Sequence, residues 1–105
     1  MKYLPFPSQP GVIAGTENNP DLFIRSVIFE TGYKEEGFHN HPNTFEFYVV
    51  LSGSLVFEND KNEQIEATAN SMIYFEAAEP HRITSVSETT QMLLIKKIGA
   101  HKTIG

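Results

Sequence analysis

Apolar residues occur along this chain in short runs, most of them bounded by glycine, proline or polar turn residues. LFIRSVIFE at residues 22–30 and FEFYVVL at residues 45–51 are rich in β-branched and aromatic residues, which is typical of strands. No window has the spacing of a long amphipathic helix. The predicted strands are residues 22–30, 38–41, 45–51, 55–58, 63–67, 72–76, 81–86 and 91–98. About eight short antiparallel strands predict an all-β sandwich or closed barrel.

Side chains alternate between the two faces of a strand. In residues 45–51 this places Glu46, Tyr48 and Val50 on one face. The opposite face carries an apolar row that needs a cover, either from a second copy of the chain or from elsewhere in the same chain. The row consists of Phe45, Phe47, Val49 and Leu51.

The chain has 105 residues, a length that predicts a single domain. Residues 1–20 hold four of the six prolines, which predicts an extended arm with a short strand at residues 11–14. The arm either lies across a neighbouring subunit or is a loosely packed terminus. Residues 22–97 form the predicted barrel, and residues 99–105 form a polar tail.

Composition excludes several kinds of partner and site. The net charge is −5, and the few lysines and arginines are scattered, which argues against nucleic acid as a partner. There is no cysteine, which excludes disulfides, thiolate metal sites and a cysteine nucleophile and fits a reducing compartment. No apolar run approaches the roughly 20 residues of a membrane span, and the N-terminus lacks the pattern of a signal peptide. The sequence therefore predicts a cytoplasmic protein without a membrane partner.

Three of the four histidines and one glutamate form a candidate metal site. His39 and His41 are two residues apart on a predicted strand and share a face. Glu46 has odd spacing from His41, but the break at residues 42–44 can reset the parity and turn the carboxylate inward. His81 opens another predicted strand and is expected to approach from across the barrel. A single histidine is more often an ordinary polar residue, but the combination predicts one divalent first-row metal (iron, manganese, nickel, copper, cobalt or zinc).

The spacing His39-x-His41-x4-Glu46-x6-Gly53 resembles the first motif of the cupin superfamily, G-x5-HxH-x3,4-E-x6-G. The leading glycine departs from the motif, because Gly32 falls one residue too early. Of the second motif, G-x5-PxG-x2-H-x3-N, His81 alone remains. The other motif positions are occupied by Asn70, Glu76, Ala78 and Ser85. Asn70 is a tolerable replacement for glycine, because asparagine adopts left-handed backbone more readily than most residues.

The resemblance implies a jelly-roll β-barrel with the metal inside and a homodimeric assembly. It also implies a metal-dependent enzyme acting on a small organic molecule, by dioxygenation or by isomerisation of a sugar or keto acid. The alternative is a non-catalytic cupin that binds a sugar or a small acid. Bound iron with oxygen uptake would favour dioxygenation, and redox-indifferent activity would favour isomerisation.

Several further residues are candidates for a role beside the metal. Glu76 replaces the proline at the rim of the second motif and is a candidate general base, with a solvated rim glutamate as the alternative. Tyr48 shares a face with Glu46 and is a candidate hydrogen-bond donor to substrate, with a core role as the alternative. Tyr74 falls in one alternating set with Glu76 and is a similar candidate. Arg82 and Arg25 are candidates for receiving an anionic substrate, with surface placement as the alternative.

Overall fold

Six β-strands and no helix make up the part of the chain that the structure, a computed structural model, describes: residues 3, 8–14 and 23–98. The all-β prediction is confirmed, including the short strand at residues 11–14. None of these described segments is a helix able to cross a bilayer. The strands are β1 (Gly11–Ala14), β2 (Phe23–Phe29), β3 (Thr44–Asn59), β4 (Gln64–Thr68), β5 (Ser71–Phe75) and β6 (His81–Ile98).

The long strands β3 and β6 form the centre of the fold. They pair antiparallel over nearly their whole length, from Thr44 opposite Ile98 to Asn59 opposite His81. The free edge of β3 pairs first with β5 and then with β4, and the C-terminal half of β6 pairs with β2, which in turn pairs with β1. All pairs are antiparallel, and the arrangement is consistent with a jelly roll.

Each of the two long strands spans a gap between two predicted strands. Residues 52–54, between the predicted strands 45–51 and 55–58, form an irregular stretch within β3, where the register with β6 shifts repeatedly between Val50 and Leu55. Gly53 adopts a φ of +95° there, and a Cβ at this position would collide with Thr90 and with the backbone oxygen of Thr89. Only glycine fits this bend, so the predicted strands 45–51 and 55–58 are one strand. Residues 81–98 are likewise continuous.

The predicted alternation on β3 is confirmed. Glu46, Tyr48 and Val50 are buried and face the interior, where the core surrounds Tyr48 and Val50. On the opposite face the ring of Tyr74 packs 5.7 Å from that of Phe45 and 5.0 Å from that of Phe47. The chain itself therefore covers part of the outward apolar row, and the homodimer stays a prediction.

Candidate functional site

The segment between β2 and β3 lies along the edge of β6 that β2 leaves free. Glu35 N donates to Ile83 O at 2.9 Å, and His39 and His81 exchange two backbone hydrogen bonds of 3.0 Å each. His39 is thus an isolated bridge residue rather than part of the predicted strand 38–41. His81 does begin a strand, as predicted, but it lies beside His39 instead of approaching from across the barrel.

The structure brings the four predicted ligand residues together. His81 Nε2 is 3.2 Å and His41 Nε2 is 3.5 Å from the same oxygen, Glu46 Oε1. The His39 ring centroid is 4.5 Å from that of His81 and 6.0 Å from that of His41. The predicted change of parity between His41 and Glu46 therefore occurs, through a turn in which Thr44 N donates to His41 O at 3.1 Å.

Burial divides the four residues into two pairs. The side chains of His81 and Glu46 are only 1% and 2% exposed, whereas those of His39 and His41 are 39% and 37% exposed. The cluster is therefore closed on the side of the strands and open to solvent on the side of the loop.

His81 is held in one orientation. Its Nδ1 donates to Glu79 O at 2.8 Å, and its ring stacks on Phe75 with centroids 3.9 Å apart and planes 9° apart. A carbonyl oxygen can only accept a hydrogen bond, so Nδ1 carries a proton, and Nε2 has a lone pair when the ring is neutral. This Nε2 is buried and makes no hydrogen bond to any of the described residues, although Glu46 Oε1 lies 3.2 Å away.

The pKa values follow from these contacts. Burial opposes ionisation of Glu46, but the close contact with His81 and the charge of His41 outweigh it, and the pKa of Glu46 lies below its ordinary value. Burial lowers the pKa of His41. The pKa of His39 is raised, chiefly by its contact with Glu35. The pKa of His39 therefore lies above the ordinary histidine value, and the pKa of His41 lies below it.

Glu35 is a neighbour of the cluster that the sequence does not indicate. Its Oε1 accepts from Ile83 N at 2.7 Å and lies 3.3 Å from His39 Nε2, and its Oε2 accepts from Tyr33 at 3.0 Å. Burial raises the pKa of Glu35, but the contacts with His39 and Ile83 reverse this, and the net shift is downward. The carboxylate thus ties the His39 side chain to β6.

The residues of the cluster fit a metal in part. Ligands about 2.0–2.2 Å from one metal lie about 3.0–3.5 Å from each other, and the contacts of His41 and His81 with Glu46 have this separation. Within the described chain, however, no three His, Cys, Asp or Glu side chains already surround a common point as a metal-binding group. Ligation through Nε2 of His39 requires that side chain to leave Glu35.

The loop before His81 keeps its bend although two motif residues differ. Asn70 has a φ of 68°, which confirms the left-handed backbone expected of it, and Ala78 has a φ of 66° where the cupin motif has glycine. Ala78 N donates to His41 O at 3.0 Å and so joins this loop to the loop that carries two of the histidines.

The structure places the two catalytic candidates differently. Glu76 is exposed, and its backbone N–H donates to the Glu79 carboxylate at 3.2 Å, an arrangement that favours the alternative of a solvated glutamate. Tyr48 is buried, packs against Phe57 and Phe75, and has a pKa raised by burial. A catalytic role stays a prediction for both residues.

Arg82 contacts protein groups instead of facing the cluster. It bonds Glu58 Oε1 through Nε at 3.1 Å and Nη2 at 2.7 Å, and Nη1 donates to Glu36 O at 2.6 Å. Its guanidinium also lies 4.3 Å from the ring centroid of Phe38. Arg82 therefore fastens the loop before His39 to the sheet.

Comparisons with known proteins agree with the fold described above. Residues 25–96 match the family described as Cupin domain. A search of curated proteins found no match. Among solved structures, the DMSP lyase DddQ from Ruegeria pomeroyi DSS-3 has a TM-score of 0.73 at 16% identity, over 90% of this chain and 49% of that chain.

Two smaller structures are matched over more of their length. KdgF from Halomonas sp. has a TM-score of 0.73 at 17% identity, over 89% of this chain and 80% of that chain. A cupin protein from Bacteroides fragilis has a TM-score of 0.69 at 19% identity, over 100% of this chain and 92% of that chain. The chain spans less than half the length of the DMSP lyase chains, 49% in one and 42% in another. At these identities the likeness shows the fold alone.

Proposed function

The chain belongs to the cupin family, and we propose that it binds one divalent first-row transition metal and acts with it on a small polar organic molecule. The proposed ligands are His39, His41, Glu46 and His81. Dioxygenation and the isomerisation of a sugar or keto acid are the two reactions that the family resemblance makes candidates.

The orientation of His81 is the observation that carries this proposal. Its buried Nε2 lies 3.2 Å from Glu46 Oε1 without a hydrogen bond, and the ionised carboxylate oxygen is an acceptor, as Nε2 is in the neutral ring. Two acceptors facing each other in a buried site are unfavourable unless a proton or a metal ion lies between them. His41 Nε2 approaches the same oxygen at 3.5 Å, so a metal ion would satisfy three side chains at once.

The residues of the cluster have separate tasks in this proposal. Glu46 supplies the negative charge, and its lowered pKa keeps it ionised at neutral pH. His81 is locked by Glu79 O and Phe75 and needs no reordering. His39 and His41 form the open side, by which a substrate reaches the cluster. A bound metal would polarise and orient a substrate oxygen.

One observation favours the alternative of a cupin that binds its ligand without catalysis. Glu76, the only candidate general base that the sequence supplied, is exposed. Enzymes do occur on this fold, since DddQ is a DMSP lyase, but identity of 16% does not transfer that activity. A cytoplasmic location and a homodimer also remain proposals.

Elemental analysis of protein purified without an affinity tag tests the metal, with the His39→Ala/His41→Ala double variant as the control. We expect about one equivalent of a first-row metal in the wild type and none in the variant. Absence of metal from the wild type, before and after reconstitution, would overturn the proposal. For a protein that binds metal, oxygen uptake by the iron-loaded form would favour dioxygenation, and turnover without oxygen uptake would favour isomerisation. No turnover of any organic acid or sugar tested would favour the non-catalytic cupin.

A further inference from the structure

We infer that the Lys96 ammonium forms an anion-binding subsite beside the four proposed ligands, and that the molecule bound there is a small organic acid with a carboxylate group. This inference rests on the proposed function and names the substrate class for that same site.

Strand register places Lys96 inside the barrel. Phe23, Lys96, Glu46 and Phe75 are successive cross-strand partners in β2, β6, β3 and β5, and directly opposed residues point to the same face of a sheet. That face is the interior, because Phe23, Glu46 and Phe75 are all buried. Lys97 follows Lys96 on the same strand, belongs to the other face and is exposed.

The Lys96 side chain is half-buried, and its Nζ lies 6.0 Å from the ring centroid of Phe23. Glu46 is its direct cross-strand partner. Among residues 3, 8–14 and 23–98, however, no aspartate or glutamate oxygen lies within 4.0 Å of Nζ. A half-buried ammonium on the interior face of a barrel, with no carboxylate in contact among these residues, is open to a negatively charged ligand.

Lys96 lies beside the cluster, because it is the direct cross-strand partner of Glu46. Opposed residues on one face of a sheet are neighbours, and a long side chain reaches those around it.

This charge pattern fits an anion. Three neutral imidazoles and one carboxylate leave a divalent cation with a net positive charge, and Lys96 adds another positive charge beside it. Such a pair repels in the absence of a ligand and attracts a carboxylate that meets both centres. Lysine suits this task because its ammonium is a compact point charge on a flexible stem.

Malonate binding to the zinc-loaded protein tests the subsite, with Kd measured by calorimetry at fixed ionic strength. We expect Lys96→Gln to raise the malonate Kd at least about 10-fold, the size of a lost charged hydrogen bond. The matched control Lys97→Gln removes the same charge from the outer face and should change Kd less than about twofold. Lys96→Arg keeps the charge and should retain most of the binding, which separates charge from packing.

Zinc affinity measured on the same proteins separates the two proposals. Removal of a positive charge near the metal should leave zinc binding by Lys96→Gln unchanged or tighter, whereas a damaged site would bind zinc more weakly. Equal malonate Kd values in Lys96→Gln and Lys97→Gln, with one zinc bound in both, would overturn the subsite and leave the metal proposal intact. A wild-type protein that takes up no zinc would overturn both.

Discussion

The two halves of the cluster are built in different ways. Glu46 and His81 lie on the long strands β3 and β6, almost fully buried, and the packing of Phe75 and the carbonyl of Glu79 fix the His81 ring. His39 and His41 lie on a loop, more than a third exposed, and Glu35 holds the His39 side chain. The buried pair is therefore positioned by the fold itself, and the exposed pair by local contacts that a ligand can displace.

This difference predicts which residues determine stability and which determine ligand affinity. Changes in the buried pair should affect both, because they remove packing and leave a buried charge unpaired. Changes in the exposed pair should affect affinity with little cost in folding. The predictions below test that separation.

The largest expected effect is on folding of the metal-free protein. His81→Ala should lower the free energy of unfolding by about 3 kcal/mol, because it removes a stacked, buried ring and leaves Glu46 without its closest partner. His41→Ala should cost less than about 1 kcal/mol. Urea unfolding of both metal-free variants checks this, and equal losses of stability would contradict the division into two halves.

The scaffold behind the buried pair is tested at Gly53. Gly53→Ala should destabilise the protein by about 2–4 kcal/mol, because the new methyl group meets the backbone of Thr89 and Thr90 at a positive φ. Gly37→Ala is the control, since nothing lies within 4 Å of its Cβ position and no left-handed backbone is recorded there. Thermal unfolding gives both values, and a Gly53→Ala variant as stable as Gly37→Ala would refute the reason given for the bend.

A smaller effect of opposite sign is expected at Ala78, where the two halves are joined. Its φ of 66° is strained for alanine, so Ala78→Gly should stabilise the protein by about 0.5–1 kcal/mol. The gain should appear as a higher midpoint of urea unfolding with an unchanged slope. A lower midpoint would show that the flexibility added to the unfolded chain outweighs the strain.

The smallest effect depends on pH and belongs to the exposed half. The folded pKa of His39 is raised above 6.5, so its contact with Glu35 contributes fully below pH 6.5 and is lost as pH rises through the folded pKa of His39. The folded pKa of Glu35 is lowered below 4.5, so its contribution is present above pH 4.5 and is lost as pH falls through that lowered value.

Glu35→Gln should therefore cost most stability between about pH 4.5 and 6.5, by a few tenths to about 1 kcal/mol given the exposure of His39. Unfolding of the wild type, Glu35→Gln and the exposed control Glu36→Gln at pH 5.5 and pH 8.5 measures this. A cost of Glu35→Gln that is larger at pH 8.5 than at pH 5.5 would contradict the assigned contact.

The sequence predicted the parts of this molecule that depend on local pattern. Alternation placed Glu46 and Tyr48 on the inner face, and spacing singled out the four residues that the structure brings together. The strand ends were harder, because Ser52-Gly53-Ser54 is compatible with a turn or a bulge, and the neighbouring Thr89–Thr90 backbone decides between them.

The contributions of Glu35 and Lys96 were not accessible from local pattern. Glu35 meets the backbone of Ile83, 48 residues away in sequence, and Lys96 is next to Glu46 only because of the register between β3 and β6. Residues whose roles come from strand pairing need the fold before they can be recognised.

The most direct test of the central claim is a zinc titration of the metal-free protein, beside Glu46→Gln and Glu76→Gln. Both variants remove one negative charge, but only Glu46 lies among the proposed ligands. We expect one zinc bound by the wild type and by Glu76→Gln with similar affinity, and at least 100-fold weaker binding by Glu46→Gln. Equal zinc affinity in the two variants would contradict the assignment of the metal site.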